Sequence, residues 1–378
     1  MGVKRIPGSE QTVFNRATLK TDPLHLAQEN VMDAVRKATP KHHEIENFQR
    51  YAGFGIGIAS LLTENVLSHP LIAFRRQCQV NCQSFRYHLT PFTVIQVMTT
   101  LQRNQGFTAL WKGIPSTIMV QGIGMVTETV ISEATPFPKD VHSHSSLKHF
   151  IGHVILKAIS CVVTLPVYAA SLVETVQSEI ASECPGPFDC LREGFCRVTG
   201  WGVPQTTRMI PLLSLVVPST ITTLVRYILT SAIQYTMLYF IHQRQRKKYM
   251  ENNEGTPAAR SMLDAYFPEL FSAFTGHLII DTALYPVETV LHRLLLQGTR
   301  TIIDNTDDGL SVLPITTQYY GFWDCFTVIR YEEGITGFYK GFGALLLQYA
   351  IHAFILKSTK FVYIKLAEEF GMDKTPTT

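Results

Sequence analysis

The sequence predicts an all-α membrane protein in which six transmembrane helices form three pseudo-symmetric repeats, and three observations carry that prediction. Only 17% of its 378 residues are charged, against the roughly 25% usual in soluble domains. The apolar residues gather into charge-free runs at 52–63, 113–127, 158–173, 209–225, 227–243 and 341–356, with a broken run over 270–297. Prolines stand at matching places in three of these segments, Pro70, Pro166 and Pro286, and a spacing of about 100 residues implies a threefold repeat.

The apolar surplus is modest, with 46% hydrophobic residues and mean hydropathy +0.10. That suits helices with one polar face around a polar interior better than all-apolar spans. None of the runs reaches the ~20 residues that cross a bilayer unaided. Extending each across its nearest polar residue gives six helices, near 52–78, 113–133, 148–177, 209–241, 268–297 and 341–366. Arg226 alone separates two 17-residue runs, a length that a soluble core rarely needs.

Taken in order, residues 1–50 form a polar tail, expected in the cytosol, with eight basic and six acidic side chains. No apolar core of a secretory signal precedes Ala52, the acids disfavour a cleavable presequence, and Ile6 stands where a myristoylation signal has Ser or Thr. The membrane address is therefore expected to be internal. Within the tail, Leu24, Leu26, Val31, Met32 and Val35 have partial helical spacing, read as a surface helix ahead of a partner-binding one. Residues 51–140 make the first repeat, 141–245 a degenerate second, 246–368 a third with an insertion near 298–318, and 369–378 a C-terminal tail. Each repeat reads as a helix broken at its proline, a connector carrying a short amphipathic helix (91–104, 187–198, 318–332), and a second apolar helix. Such a break is tolerated inside a membrane where neighbours satisfy the freed carbonyl. Six spans, an even number, put both termini on the same side.

A second element recurs with the prolines. After Pro286 come Glu288 and Arg293, then Glu333, Gly334, four residues, Tyr339, Lys340 and Gly341. After Pro70 come Arg75 and Gln77, then Gln105, Gly106, four residues, Trp111, Lys112 and Gly113. This pattern resembles the signature of the mitochondrial carrier family (solute carrier family 25): Pro, any residue, acid, two residues, base, then later acid, Gly, four residues, aromatic, base, Gly. The resemblance covers about residues 50–366. It implies a six-helix barrel of carrier-type repeats whose acids and bases beyond each proline form a ring of ion pairs closing one end of a cavity. Here that ring is incomplete. Ile72 replaces the first acid, Tyr168 and Ser171 replace the second acid and base, and Leu291 replaces the third base. The resemblance pairs the third acid with the first base, making Arg75 and Glu288 the residual gate bridge. In the second repeat Thr199, Gly200, Trp201, Gly202, Val203 and Pro204 contain no cation–Gly pair. Val120 and Gln348, nine residues past Trp111 and Tyr339, fall at solute-contact positions of the family and neutralise no anion. A cavity without converging charges is a weak candidate for carrying a nucleotide or carboxylate.

Several stretches are similar to a degenerate outer-membrane branch of that family: 52–59 (AGFGIGIA), 68–81 (SHPLIAFRRQCQVN), 171–180 (SLVETVQSEI), 261–270 (SMLDAYFPEL) and 286–307 (PVETVLHRLLLQGTRTIIDNTD). The resemblance implies a multi-pass protein of the mitochondrial outer membrane, acting in fusion–fission balance, crista organisation and lipid supply. It further implies work through partners: mitofusins, the inner-membrane dynamin-like fusion GTPase, the crista-organising complex, endoplasmic-reticulum contact proteins and membrane lipid. Porins make that membrane permeable to small solutes, so a gated exchanger there has no gradient to exploit. The alternatives are an active solute carrier in the inner membrane and a lipid-handling protein.

Other signals are weaker. Gly53, Gly55 and Gly57 read as a helix-packing face, because neither a strand nor a phosphate-facing Lys frames them. His142, His144, His149 and His153 read as a solvated loop and helix start, without the thiolates or carboxylates of a metal site. Seven cysteines, with Cys184, Cys190 and Cys196 six apart, fit reduced thiols and neither a disulfide framework nor a zinc motif. Arg244, Arg246, Lys247 and Lys248 either meet anionic headgroups or simply end a helix. Met262, Leu263, Tyr266, Phe267 and Leu270 suit an interfacial segment or a partner's seat. Neither a Ser-His-Asp arrangement, a paired-carboxylate site nor a P-loop is evident, so no enzyme, cofactor or metal is expected. A net charge of +3 with scattered cations predicts no nucleic-acid partner.

Overall fold

The computed structural model describes residues 66–139, 147–180, 186, 188–200, 206–251 and 262–369. The tail over 1–50, the first part of the predicted 52–78 helix with its glycines, His142, His144, Cys184, 201–205 and the end of the chain lie outside the described residues. The fold described below is that of one compact unit, Ile58–Ile364.

Helices dominate. In chain order they are α1 (His69–Val80), α2 (Pro91–Gln105), α3 (Ile114–Ala134), α4 (Leu147–Val176), α5 (Asp189–Thr199), α6 (Leu212–Glu251), α7 (Met262–Ala283), α8 (Tyr285–Leu296), α9 (Phe322–Glu332), the single turn α10 (Gly334–Gly337) and α11 (Phe342–Glu369). One hairpin departs from the predicted all-α class: β1 (Ile302–Asp304) pairs antiparallel with β2 (Val312–Pro314), Ile303 opposite Leu313. It occupies the insertion near 298–318. The short helices predicted at 91–104, 187–198 and 318–332 correspond to α2, α5 and α9.

Proline acts differently at its three sites. Pro70 and Pro286 lie in the first turns of α1 and α8, where the missing N–H has no intrahelical acceptor to lose and the fixed φ suits the helix. At Pro286 the chain bends by 64° between α7 and α8, with Leu284 at the break. Pro166 is inside an unbroken α4, so the expected break at the second proline does not occur. Thr164, in the turn before it, donates from Oγ1 to the Ser160 carbonyl at 2.8 Å.

Among the described residues, three helices are long and apolar enough to cross a membrane: Thr108–Ala134, Leu147–Val176 and Leu212–Lys247. They become four if the bent pair Phe267–Ala283 and Tyr285–Leu296 is one span. The predicted six is not reached. The helix α11 has the length, but Gln348, His352, Lys357 and Lys360 dilute its apolar run. The helix α3, about 31 Å long at 1.5 Å per residue, matches the ~30 Å hydrocarbon core. It buries only Ser116, while Ile118, Met125, Val126 and Val130 are exposed. Leu213, Val217 and Ile221 of α6 are exposed too. Apolar walls of this extent suit lipid contact.

The core lies where helix ends converge. Leu165, Ala169, Leu172 and Val176 of α4 pack with Val290, Leu294 and Leu295 of α8, Leu212 and Leu215 of α6, Ile303 of the hairpin and Phe338. A second cluster joins Leu71, Phe74 and Cys78 of α1 to Val94, Val97 and Leu101 of α2 and to Ala344 of α11.

Candidate functional site

A cavity of about 670 Å³ runs between the long helices, from Arg75, Glu288 and Leu295 at one end to Glu128 and Lys157 towards the other. Pro70 and Pro286 lie in the first turns of α1 and α8, and the positions five and two residues beyond them set Arg75 opposite Glu288. Arg75 Nη2 lies 3.1 Å from Glu288 Oε1, both side chains about nine-tenths buried. Glu288 is not theirs alone. Arg226 of α6 donates to its Oε2 at 2.8 Å and, through its other nitrogen, bonds Asp281 of α7. Tyr349 of α11 donates to the second Asp281 oxygen at 2.7 Å, and Arg75 reaches Gln348 at 3.5 Å. Two arginines and two carboxylates thus tie five helices into one network.

At the next junction the polar link is neutral. Gln79 Oε1 is 2.7 Å from His292 Nδ1, so that nitrogen is the donor, and Nε2 is left to accept from the Tyr168 hydroxyl at 2.7 Å. His292 stands one residue past the base position held by Leu291. The third junction has no ion pair: Ser171 accepts a 3.0 Å bond from Ser116, which the Glu174 carboxyl also faces, and Arg76 donates to Thr175 at 3.2 Å while facing the Tyr168 ring. The cavity's far end carries one more pair, Lys157 Nζ on both Glu128 oxygens at 2.7 and 2.8 Å. The sequence reading of a cavity without converging charges is therefore corrected. Arg75, Arg76, Arg226 and Lys157 all line it, and all but Arg76 are paired with carboxylates.

Of the remaining motif residues, Gly334, Tyr339, Lys340 and Gly341 sit outside the candidate spans, while Trp111, Lys112 and Gly113 open the first of them and Arg293 lies in the bent one. Glu333 accepts from Arg293 and, at 2.7 Å, from Lys340, whose ammonium also reaches the Asn81 carbonyl at 2.9 Å. Burial raises the Glu333 carboxyl, but the bonds and charge of Arg293 and then Lys340 outweigh it and leave it below its ordinary value. Burial pulls the Lys340 ammonium down, and Glu333 restores only part of the loss. Lys112 pairs at 2.8 Å with Asp304, from the hairpin, and Gln105 and Gln77 donate to the same carboxylate at 2.8 and 3.1 Å. Gly113 and Gly341 adopt left-handed φ of 72° and 80°. A Cβ on Gly113 would meet Thr175 Oγ1 at 2.8 Å, and one on Gly341 the Cys78 Cβ at 2.8 Å, so both glycines let a turn lie flat on a neighbouring helix. Trp111 donates to the Val66 carbonyl at 2.8 Å, and Tyr339 stacks on Tyr285. Gly106 and Gly334, also at positive φ, end α2 and open α10. Pro166 brings no charged partner to the cluster.

Arg226, Asp281, His292, Arg76 and Asp304 were missed in the sequence. Only Arg226 left a trace, as the single charge between two apolar runs.

These features define a polytopic carrier-type protein. The family model described as "Mitochondrial carrier protein" matches residues 47–135 and 264–368, and the chain belongs to that family. The stretch left between those matches contains Pro166, the proline without acid or base. The chain is 48% identical over 363 residues to the zebrafish (Danio rerio) "Mitochondrial outer membrane protein SLC25A46", covering 96% of this chain and 87% of the relative. It is 52% identical over 323 residues to the human (Homo sapiens) protein of that name, covering 85% and 77%. The chicken (Gallus gallus) protein is 50% identical, covering 85% and 79%. The location of this chain is accordingly the mitochondrial outer membrane, and its family is that of the carrier-like proteins.

Proposed function

We propose that this protein is a carrier-like scaffold of the outer membrane, and no longer a metabolite exchanger. It would regulate the balance of mitochondrial fusion and fission, crista organisation and lipid supply. Its architecture in this reading is six helices in three carrier-type repeats, supported by the order long, short, long in α4, α5 and α6 and again in the bent pair α7–α8, α9 and α11. The observation that carries the reading is the state of the ring: among the described residues one of three junctions is an ion pair, one a neutral tyrosine–histidine bond, and one a serine–serine bond without an ion pair. An exchanger needs charges that break and reform as it alternates. The partners we propose are mitofusins, the inner-membrane dynamin-like fusion GTPase, the crista-organising complex and endoplasmic-reticulum contact proteins. Purified full-length protein in proteoliposomes should give no saturable flux of nucleotides or carboxylates, while deletion of residues 1–50 should abolish mitofusin co-purification. A saturable flux lost in Arg226→Gln would sink the proposal.

A lipid-handling role has one observation of its own. A second cavity of about 560 Å³ opens beside the α7–α8 bend, lined by Leu215, Val217, Ile221, Val225, Leu284 and Trp323. Transfer of labelled phospholipid between vesicles would favour it.

A further inference from the structure

Residues 298–318 are surplus to the helical plan, yet they carry a buried charge. In the segment following Pro286, the acid Glu333 holds Arg293 and Lys340. The corresponding motif positions after Pro70 are Gln77, Gln105 and Lys112, so a lysine is kept and its acid is lost. Asp304 stands in the gap, its side chain 2% exposed against 9% for Lys112. The strap around it is bonded on every side. Ser178, after α4, donates to the Ile302 carbonyl at 2.8 Å, and Gln177 bridges Ile303. Asn81, at the end of α1, bonds the Thr306 hydroxyl at 3.1 Å, and His88 donates to the Thr306 carbonyl at 2.8 Å. Asp307 receives the backbone N–H groups of Phe85 and Arg86 at 2.9 and 2.8 Å, and Asn104 of α2 bonds the Gly309 carbonyl at 3.1 Å. A segment leaving the end of α8 is thereby fastened to the ends of α1 and α4.

We infer that this hairpin is a clasp that holds the convergent helix ends shut, with Asp304 as its bolt, supplying from the insertion the anion that Gln105 no longer provides. A short side chain on α2 could pair Lys112 without crossing between helices. Moving the carboxylate to the hairpin makes separation of α1, α4 and α8 require withdrawal of a charge from Lys112. The clasp stands independently of the scaffold reading. That reading fails on solute flux, whereas the clasp fails on local opening.

Three buried thiols supply the measurement. Cys78 is 1% exposed and lies beside Thr306 of the clasp, while Cys190 and Cys325 are fully buried in α5 and α9. In full-length protein in detergent, a maleimide added under native conditions labels each thiol in proportion to its open population, read by peptide mass spectrometry. Asp304→Asn should raise Cys78 labelling at least tenfold, a shift of about 1.4 kcal/mol, with Cys190 and Cys325 unchanged. The exchanged pair Asp304→Lys with Lys112→Asp should return Cys78 towards its original rate. If Asp304→Asn does not fold, Asp307→Ala loosens the same strap without leaving a charge buried and carries the test with the same reading of the three thiols. Unchanged Cys78 labelling, a parallel rise of all three thiols, or no recovery in the exchanged pair would each overturn the clasp.

Discussion

Charge reversal at Arg75 and Glu288 is the natural test of a two-residue bridge, and the structure says that it will only half succeed. Glu288 serves two arginines, at 3.1 Å and 2.8 Å. Two unit charges about 4 Å apart interact by roughly 4 kcal/mol at an effective dielectric of ~20. In R75E/E288R the bridge is re-formed with opposite sense, but the introduced cation stands against Arg226, so an attraction of that order becomes a repulsion. Arg226 is about one-third exposed, and solvent screening reduces the penalty to about 2 kcal/mol. The singles should rank by what each leaves unpaired. Glu288→Gln strands buried Arg75 and costs about 3–5 kcal/mol. Arg75→Gln leaves Glu288 with Arg226, and Asp281→Asn leaves Arg226 with Glu288, so each costs less. Thermal unfolding followed by a thiol-reactive fluorophore reads all of these, because Cys78, Cys190 and Cys325 are buried. The expected order of unfolding temperature is wild type, then Arg75→Gln and Asp281→Asn, with Glu288→Gln lowest. The double reversal should stay clearly below wild type and improve when Arg226→Gln is added. Full recovery by R75E/E288R with Arg226 intact would refute the reasoning, because it would mean that Arg226 does not share the carboxylate.

Three further outcomes follow from the geometry. Glu333 and Asp304 both titrate below their ordinary values in the folded protein. The stability they contribute is therefore complete above the unfolded values of about 4.5 and 3.8 and is lost as pH falls through the folded ones. Unfolding temperature should drop steeply below about pH 4.5, and Glu333→Gln should start lower and show a shallower acid limb; an unaltered limb would contradict the assignment. Gly113→Ala should cost about 2 kcal/mol or more, combining left-handed strain with the clash on Thr175, whereas Gly334→Ala, at a φ of 74° and with nothing within 4 Å of its Cβ, carries the strain alone. Equal losses in chemical denaturation would show that the close approach is unimportant. Tyr168→Phe should cost about 1 kcal/mol, the usual net worth of a neutral hydrogen bond, and His292→Leu about 1–3 kcal/mol, because it leaves Gln79 and Tyr168 without their shared partner. A Tyr168→Phe loss as large as that of Glu288→Gln would mean that this junction is not neutral.

What the sequence made legible was whatever repeats or runs. Charge-free stretches located the long helices, because a lipid-facing wall such as α3 needs no polar face. The offset from each proline drew attention to Arg75 and Glu288, because a fixed number of helical residues fixes a direction. What had no local signature stayed hidden. Arg226 meets partners 55 and 62 residues away, and Asp304 meets a lysine 192 residues away, so no window of sequence contains either pair. His292 was missed because it is one place past the motif position, and a neutral ring can reach from there when its partner is the long Tyr168 side chain. The proline argument failed at Pro166, where the helix runs on through the proline.

The pairing of the cavity's charges bears on what the cavity can still do. An anion approaching Arg75 or Arg226 meets a guanidinium already held by Glu288 or Asp281. Binding there exchanges one carboxylate for another and leaves the displaced side chain buried without a partner, a cost that cancels most of the gain. Lys157 is occupied at both oxygens of Glu128 in the same way. Among the described residues lining the cavity, Arg76 is the cation without a carboxylate, and its contacts are a threonine hydroxyl and the face of Tyr168, where an exchanger needs several converging groups that differ in strength between its states. The same arginines therefore serve to fix α1, α6, α7, α8 and α11 relative to one another. Helices tied in this way support the proposed scaffold reading, because a docking platform needs a surface that does not alternate between states.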